Sequence, residues 1–187
     1  REYIVVASGL IVFGGETYDP FKEFDLIPIM AAREEAMDVS MVDVMVFHGS
    51  TDAPIVDINE LTLPVNELVN DIEYGMSQGY FELTPGAYEL ELLTASTGDA
   101  VKTYSADISS LTGEAITIVA SGFISPDNNN NEAEFGLWVS TAAGGEMLQL
   151  QEITPNSIED SFYEEIDLRV FPNPTTDYLT IDGLVEA

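Results

Sequence analysis

Residues 44–58, V-M-V-F-H-G-S-T-D-A-P-I-V-D-I, constrain the fold more than any other stretch. Val44, Val46 and His48 alternate with Met45 and Phe47, which is the period of a strand. The run then meets Gly49-Ser50-Thr51-Asp52-Ala53-Pro54. Glycine loosens the backbone there, aspartate can bond its own main chain, and proline fixes φ. Ile55-Val56-Asp57-Ile58 resumes the extended pattern. A strand, a tight turn and a second strand follow one another too closely for a helix to intervene.

The same punctuation recurs downstream. Tyr80-Phe81-Glu82-Leu83 runs into Thr84-Pro85-Gly86-Ala87, with Pro and Gly where a type II turn places them. Tyr88-Glu89-Leu90-Glu91-Leu92 alternates, Tyr and Leu inward and Glu outward. Ser96-Thr97-Gly98-Asp99 turns the chain into a strand at 101–105, and another follows at 115–121. Residues 66–71 are polar and read as a loop. No stretch carries an amphipathic helical period. The expected fold is all-β, an antiparallel β-sandwich complete over 42–151. An acidic, proline-containing linker is expected at 152–165.

Residues 3–10, Y-I-V-V-A-S-G-L, echo residues 116–123, I-T-I-V-A-S-G-F, so that Ala7 stands opposite Ala120. Phe24-Asp25-Leu26 likewise faces Phe135-Gly136-Leu137, with a two-residue difference in loop length. Similarity over this span reads as a tandem repeat of domain length. Residues 1–36 are then the last two strands of a preceding sandwich, and Pro28 marks an edge strand because it cannot donate to a ladder. Two strands alone are marginal. They call for completion by earlier sequence or by another chain, and the chain, which begins at Arg1 inside a strand-like run, reads as part of something longer.

Composition narrows the partners. Asp and Glu number 34 against 5 Lys and Arg, a net charge of -29, while 45% hydrophobic residues are enough to build a core. A chain this acidic repels phosphate backbones and anionic lipid heads, which argues against nucleic acid and membrane surfaces. No apolar run approaches the ~18–20 residues of a membrane span, so insertion into a bilayer is not expected. With no Cys there is no disulfide, thiolate metal site or Cys nucleophile.

Candidate chemistry is sparse. His48 is the one histidine. A Ser50, His48, Asp52 relay would lie within one strand end and turn, with no oxyanion-hole signature or nucleophile elbow, so no catalytic residue is expected. The expected role of His48 and Asp52 is to bond nearby groups and hold the turn. No cofactor is expected, although Asp127, Asn128, Asn130 and Glu132 offer hard oxygen ligands to Ca²⁺ without the spacing of an EF-hand. Trp138 follows on the next strand, as a core residue or as a sugar-stacking one.

Two resemblances follow from these residues. Val44, Val46, His48, Ser50, Asp52, Ala53, Pro54, Val56, Asp57 and Ile58 fit a V-x-V-x-H-x-S-x-D-A-P-x-V-D-V pattern. Residues 44 to about 122 thereby resemble domain-of-unknown-function family 4397. The likeness continues through Tyr74-Gly75, Tyr80 with Leu83, Pro85-Gly86-Ala87-Tyr88 and the strand ending at Ala120. Gly49 departs from the usual Ala after His, and Ile58 replaces Val. The resemblance implies an immunoglobulin-like sandwich, often in tandem copies, in secreted and cell-surface proteins, and carries no activity. Residues 168–181 include Val170, Phe171, Pro172, Asn173, Pro174, Asp177, Leu179 and Ile181. They resemble the start of the C-terminal sorting domain of type IX secretion substrates, placed at 166–187. That resemblance implies export across the outer membrane of a Gram-negative bacterium by the type IX machinery, then release or attachment to the outer cell surface.

The expected protein is therefore a non-catalytic, secreted structural or adhesive chain of immunoglobulin-like antiparallel β-sandwich repeats. Its expected partners are surface matrix or other copies of itself, with strand sharing as a route of assembly. The alternative is a Ca²⁺-assisted carbohydrate-binding module of a larger secreted enzyme.

Overall fold

The computed structural model describes residues 2–12, 14–62 and 66–154, together with two short strands at 169–171 and 180–182. The chain divides into two compact units, Arg1–Thr154 and Pro155–Ala187.

Among the described residues, twelve strands build the first unit: β1 (Tyr3–Ser8), β2 (Asp25–Met30), β3 (Val42–His48), β4 (Val56–Glu60), β5 (Asn66–Ile72), β6 (Ser77–Leu83), β7 (Ala87–Thr94), β8 (Ala100–Asp107), β9 (Ala115–Ser121), β10 (Gly136–Thr141), β11 (Leu148–Gln149) and β12 (Gln151–Ile153). Two five-stranded sheets, ordered β11-β10-β9-β3-β6 and β12-β8-β7-β4-β5, form the sandwich. The expected all-β sandwich is the observed architecture. Its core follows from the two-residue period: Val44 and Val46 of β3, Ile58 of β4, Leu90 and Leu92 of β7, and Ile116 and Ile118 of β9 belong to one buried cluster. The ladders are antiparallel except one, since β3 and β9 pair in parallel with Val44 opposite Ile116 and His48 opposite Ala120. Most of the domain lies between these two strands, which gives the chain ample length for the return that parallel pairing requires.

Two segments differ from the expectations. Residues 66–71, read as a loop, belong to β5 because Val69 and Ile72 enter the core. Among the described residues the strand lies at a sheet edge and pairs only with β4, through shifts in register. Asn and Asp side chains are tolerated on such an outer rim, which hides the strand from a reading of polarity. The second difference is at the end of the sandwich: Ile153 pairs with Thr103, so β12 runs two residues past 151. The rest of the linker, from 155, lies outside the described residues.

All seven residues of β3 are buried, although a strand in a two-layer sandwich has one face open. A third layer accounts for this. The β1–β2 hairpin lies on the outer face of the first sheet, where Ile4, Val6, Ile27 and Ile29 pack with Met45, Phe47, Tyr80 and Val119. The connection to β3 is strapped down by Arg33, which pairs with the fully buried Asp43 and sits 4.6 Å from the Tyr80 ring centroid. The Asp43 carboxylate also accepts the Met37 backbone N–H at 3.0 Å. Pro28 stands opposite Val5 in β2, whose one neighbour among the described residues is β1, in keeping with an edge position.

The two hairpins share one register. Ala7 pairs with Leu26 in β1–β2, and Ala120 pairs with Leu137 in β9–β10. Beyond the strands, Leu10 bridges Glu23 as Phe123 bridges Glu134, both in parallel. Between ladder and bridge stands a glycine in each hairpin, Gly9 at φ +94° and Gly122 at φ +86°. A Cβ would lie 2.3 Å from the Glu23 carbonyl oxygen at the first and 2.2 Å from that of Glu134 at the second. Each crossing therefore requires glycine on two grounds, backbone conformation and space.

In the second unit, β13 (Arg169–Phe171) and β14 (Thr180–Asp182) pair antiparallel, with Phe171 opposite Thr180. Pro172, Asn173, Pro174 and Asp177, of the run that resembles the start of a sorting domain, lie outside the described residues.

Candidate functional site

The motif residues converge at the end of the sandwich where β3 leaves the sheet. His48, the last residue of β3, is fully buried, and its Nε2 meets the Pro54 carbonyl at 2.9 Å. That contact closes the turn onto the strand that starts it. Nδ1 has no hydrogen-bond partner among the described residues, and the Tyr74 ring stands edge-on at 6.4 Å. Burial pushes the His48 pKa below its ordinary value, and the hydrogen bond to Pro54 works the other way.

Asp52 reaches across to the β9–β10 loop. Its Oδ1 accepts the Ile124 backbone N–H at 2.9 Å, and its Oδ2 accepts that of Ser125 at 2.8 Å. The Ser50 hydroxyl donates to the Gly122 carbonyl at 2.7 Å, with Asp52 Oδ1 at 3.3 Å. Ala53 packs against the core beside them. Asp57, further on in β4, accepts the Asp71 backbone N–H at 2.7 Å and so holds the left-handed bend at φ +52° in β5. Ser50 and Asp52 thus both bond main-chain groups of the β9–β10 connection, while His48 bonds the Pro54 carbonyl of its own turn. They are not connected as nucleophile, base and orienting acid.

Asn129 is the residue that sequence reasoning missed. The four candidate Ca²⁺ ligands, Asp127, Asn128, Asn130 and Glu132, are exposed, while Asn129 between them is completely buried. Its side-chain oxygen accepts the Asp19 backbone N–H at 3.0 Å, and its Nδ2 donates to the Ser125 carbonyl at 3.0 Å and lies 3.3 Å from Asp52 Oδ2. Asn130 adds a donor bond to the Thr17 carbonyl at 2.9 Å, and Tyr18 stacks on Phe123 with centroids 5.9 Å apart. The loop joining β1 to β2 is thereby locked to the loop joining β9 to β10. Nothing in a run of four asparagines marks the second as the buried one. Its contacts with the remote Asp19 and Asp52 select it, and the two residues after it, Asn130 and Asn131, turn the chain at positive φ. Among the described residues, no three His, Asp or Glu side chains are grouped to hold a metal ion.

Trp138 is half-buried on the outer face of β10. Its indole lies over Gly136, where a Cβ would come within 2.9 Å of the ring. The ring lines a groove of 920 Å³ between β1 and the outer face of β9 and β10, floored by Thr117, Val119 and Ser140. The sequence places Trp138 on this strand. The groove itself exists because the hairpin covers only part of the sheet.

A family model described as Domain of unknown function (DUF4397) matches residues 42–135. The chain belongs to this family. No curated protein and no solved structure matches the chain. The DUF4397 match spans β3 through the β9–β10 loop, so it includes His48, Ser50, Asp52, Asp57 and Asn129. Within this DUF4397 domain the motif residues hold a strand end, a turn and a distant loop together. The β1–β2 hairpin and Trp138 lie outside the matched residues.

Proposed function

We propose that this DUF4397 protein is a non-catalytic structural or adhesive module of a secreted, cell-surface β-sandwich repeat protein, in which strands from one copy complete or contact another. The observation that carries this reading is the exposed side of the β1–β2 hairpin. Tyr3, Val5 and Leu26 are 49%, 58% and 57% exposed, yet by shared register they stand where Ile116, Ile118 and Leu137 stand in β9–β10, at 1%, 3% and 0%. An apolar face that is core in one hairpin and open in the other is half of a sandwich interior. The acidic surface suits a solvated extracellular chain. The likeness of residues 168–181 to a sorting domain supports export by the type IX machinery to the outside of a Gram-negative cell.

Sedimentation of the chain over a concentration series tests the reading. The expected result is a mass that rises with concentration and returns to the monomer in a Val5→Lys/Leu26→Lys variant. A chain that remains monomeric throughout overturns assembly through this face.

A second reading is favoured by the position of Trp138 in an open groove: a carbohydrate-binding module, assisted by Ca²⁺ at the exposed 127–132 loop. Glycan binding that is lost in Trp138→Ala and on chelation of Ca²⁺ would establish it in place of the first.

A further inference from the structure

The groove over Trp138 also has a free strand edge along its wall. Among the described residues β1 has a single neighbour, β2, and the groove is lined along Glu2 to Ala7 by the β1 segment and by no residue of β2. The unpaired edge of β1 therefore faces the groove, with backbone donors and acceptors that an added strand can satisfy. In the matching hairpin that same position is filled. β9 pairs with β10 on one side and, in parallel, with β3 on the other, with Val44 opposite Ile116, Val46 opposite Ile118 and His48 opposite Ala120. By shared register Tyr3, Val5 and Ala7 take the places of Ile116, Ile118 and Ala120.

We propose that the groove seats a strand of the V-x-V-x-H type, the opening strand of another DUF4397 domain, hydrogen-bonded in parallel to the free edge of β1 and anchored on Trp138. The proposal rests on the reading of β1–β2 as half of a sandwich and names the strand that pairs with it. Two features favour this occupant. The seat continues an interface already formed within the chain, because β1–β2 covers Met45, Phe47 and Val119 on the adjoining strip of the same sheet. The occupant would also extend the exposed Tyr3, Val5 and Leu26 face in the way β3 extends β9–β10, giving that face a continuous sheet. Its alternate side chains, at the positions of Met45 and Phe47, would point down toward Trp138, a large ring that contributes contact area at small cost in side-chain freedom.

Trp138 is the sole tryptophan, so its fluorescence reports the groove directly. The probe is a peptide of residues 42–48 with two lysines at each end for solubility, added to the full chain. The control is a scrambled peptide of the same composition. The expected result is a saturable blue shift of the Trp138 emission and at least tenfold slower amide exchange along β1, with the scramble at least tenfold weaker. In Trp138→Phe the peptide should bind more weakly while the exchange protection persists at saturation. Equal response to both peptides, binding that leaves β1 unprotected, or no saturable response overturns the seat. If concentration-dependent association through Val5 and Leu26 survives such a result, the seat alone falls. If that association is also absent, the reading beneath it falls as well.

Discussion

Asp52 Oδ2 accepts the backbone N–H of Ser125 at 2.8 Å across 73 positions of sequence. With Oδ1 on Ile124, one carboxylate satisfies two consecutive N–H groups of a loop that belongs to neither neighbouring strand. Charge-assisted bonds of this kind are stronger than neutral ones, and losing the acceptor strands both donors. Asp52→Ala should lower stability by about 2–3 kcal/mol in urea unfolding. Asp52→Asn, which keeps one acceptor oxygen, should recover part of the loss.

Asn129 gives a contrast within one asparagine run. Asn129→Ala removes the acceptor of the Asp19 N–H and the donor to Ser125, both in a buried setting. A loss of about 1–2 kcal/mol is expected, with faster amide exchange at Asp19. Asn128→Ala, one residue away and exposed, should change stability by less than about 0.5 kcal/mol.

His48 predicts a pH dependence. Its pKa is lowered in the folded chain from the ordinary 6.5, mainly because burial disfavours the charged ring. The unfolded chain therefore binds the proton more readily, so stability is fully present above pH 6.5 and declines as pH falls below it, toward the folded value. The slope should appear between pH 6.5 and about 5, before the carboxylates titrate. Thermal unfolding of wild type and His48→Gln across that window checks it: the variant, though less stable overall, should show a flatter profile there.

Gly122 and Gly9 should respond alike despite their distance in sequence. Alanine at either meets a carbonyl oxygen at about 2.2–2.3 Å and a left-handed backbone. Gly122→Ala is expected to cost more than about 2 kcal/mol, since neither strain nor overlap can be relieved without moving the strand crossing. Gly14→Ala, also at positive φ but with open space around its Cβ, should cost about 1 kcal/mol. The difference between the two in thermal unfolding separates steric overlap from backbone preference.

Much of this molecule is legible in its residues one at a time. The inward set Leu90 and Leu92 follows from alternation, and the chain turns between β6 and β7 at 84–86, but without the positive φ at Gly86 that the expected type II turn requires. The role of His48 in holding its turn follows from the polar groups within six positions of it. β5 was not legible, because its polar residues lie on a sheet rim and only Val69 and Ile72 declare the core. Asp52 reads as a residue of its own turn, and nothing local indicates that its carboxylate serves residues 124 and 125 instead.

The division has a physical basis. Strand period and turn positions are local properties, because successive side chains along an extended backbone alternate faces, and the likeness of residues 3–10 to 116–123 is read directly from the order of residues. Whether a face is covered is set by contacts between distant segments. Met45 and Phe47 have the alternation of an outward face in the chain as written, yet they are buried at 3% and 0% because the β1–β2 hairpin lies on them. The parallel pairing of β3 with β9, the burial of Asn129 rather than Asn128, and the groove beside Trp138 have the same origin. Each depends on where a remote strand or loop comes to rest, a choice made by packing the whole molecule and invisible to any local pattern.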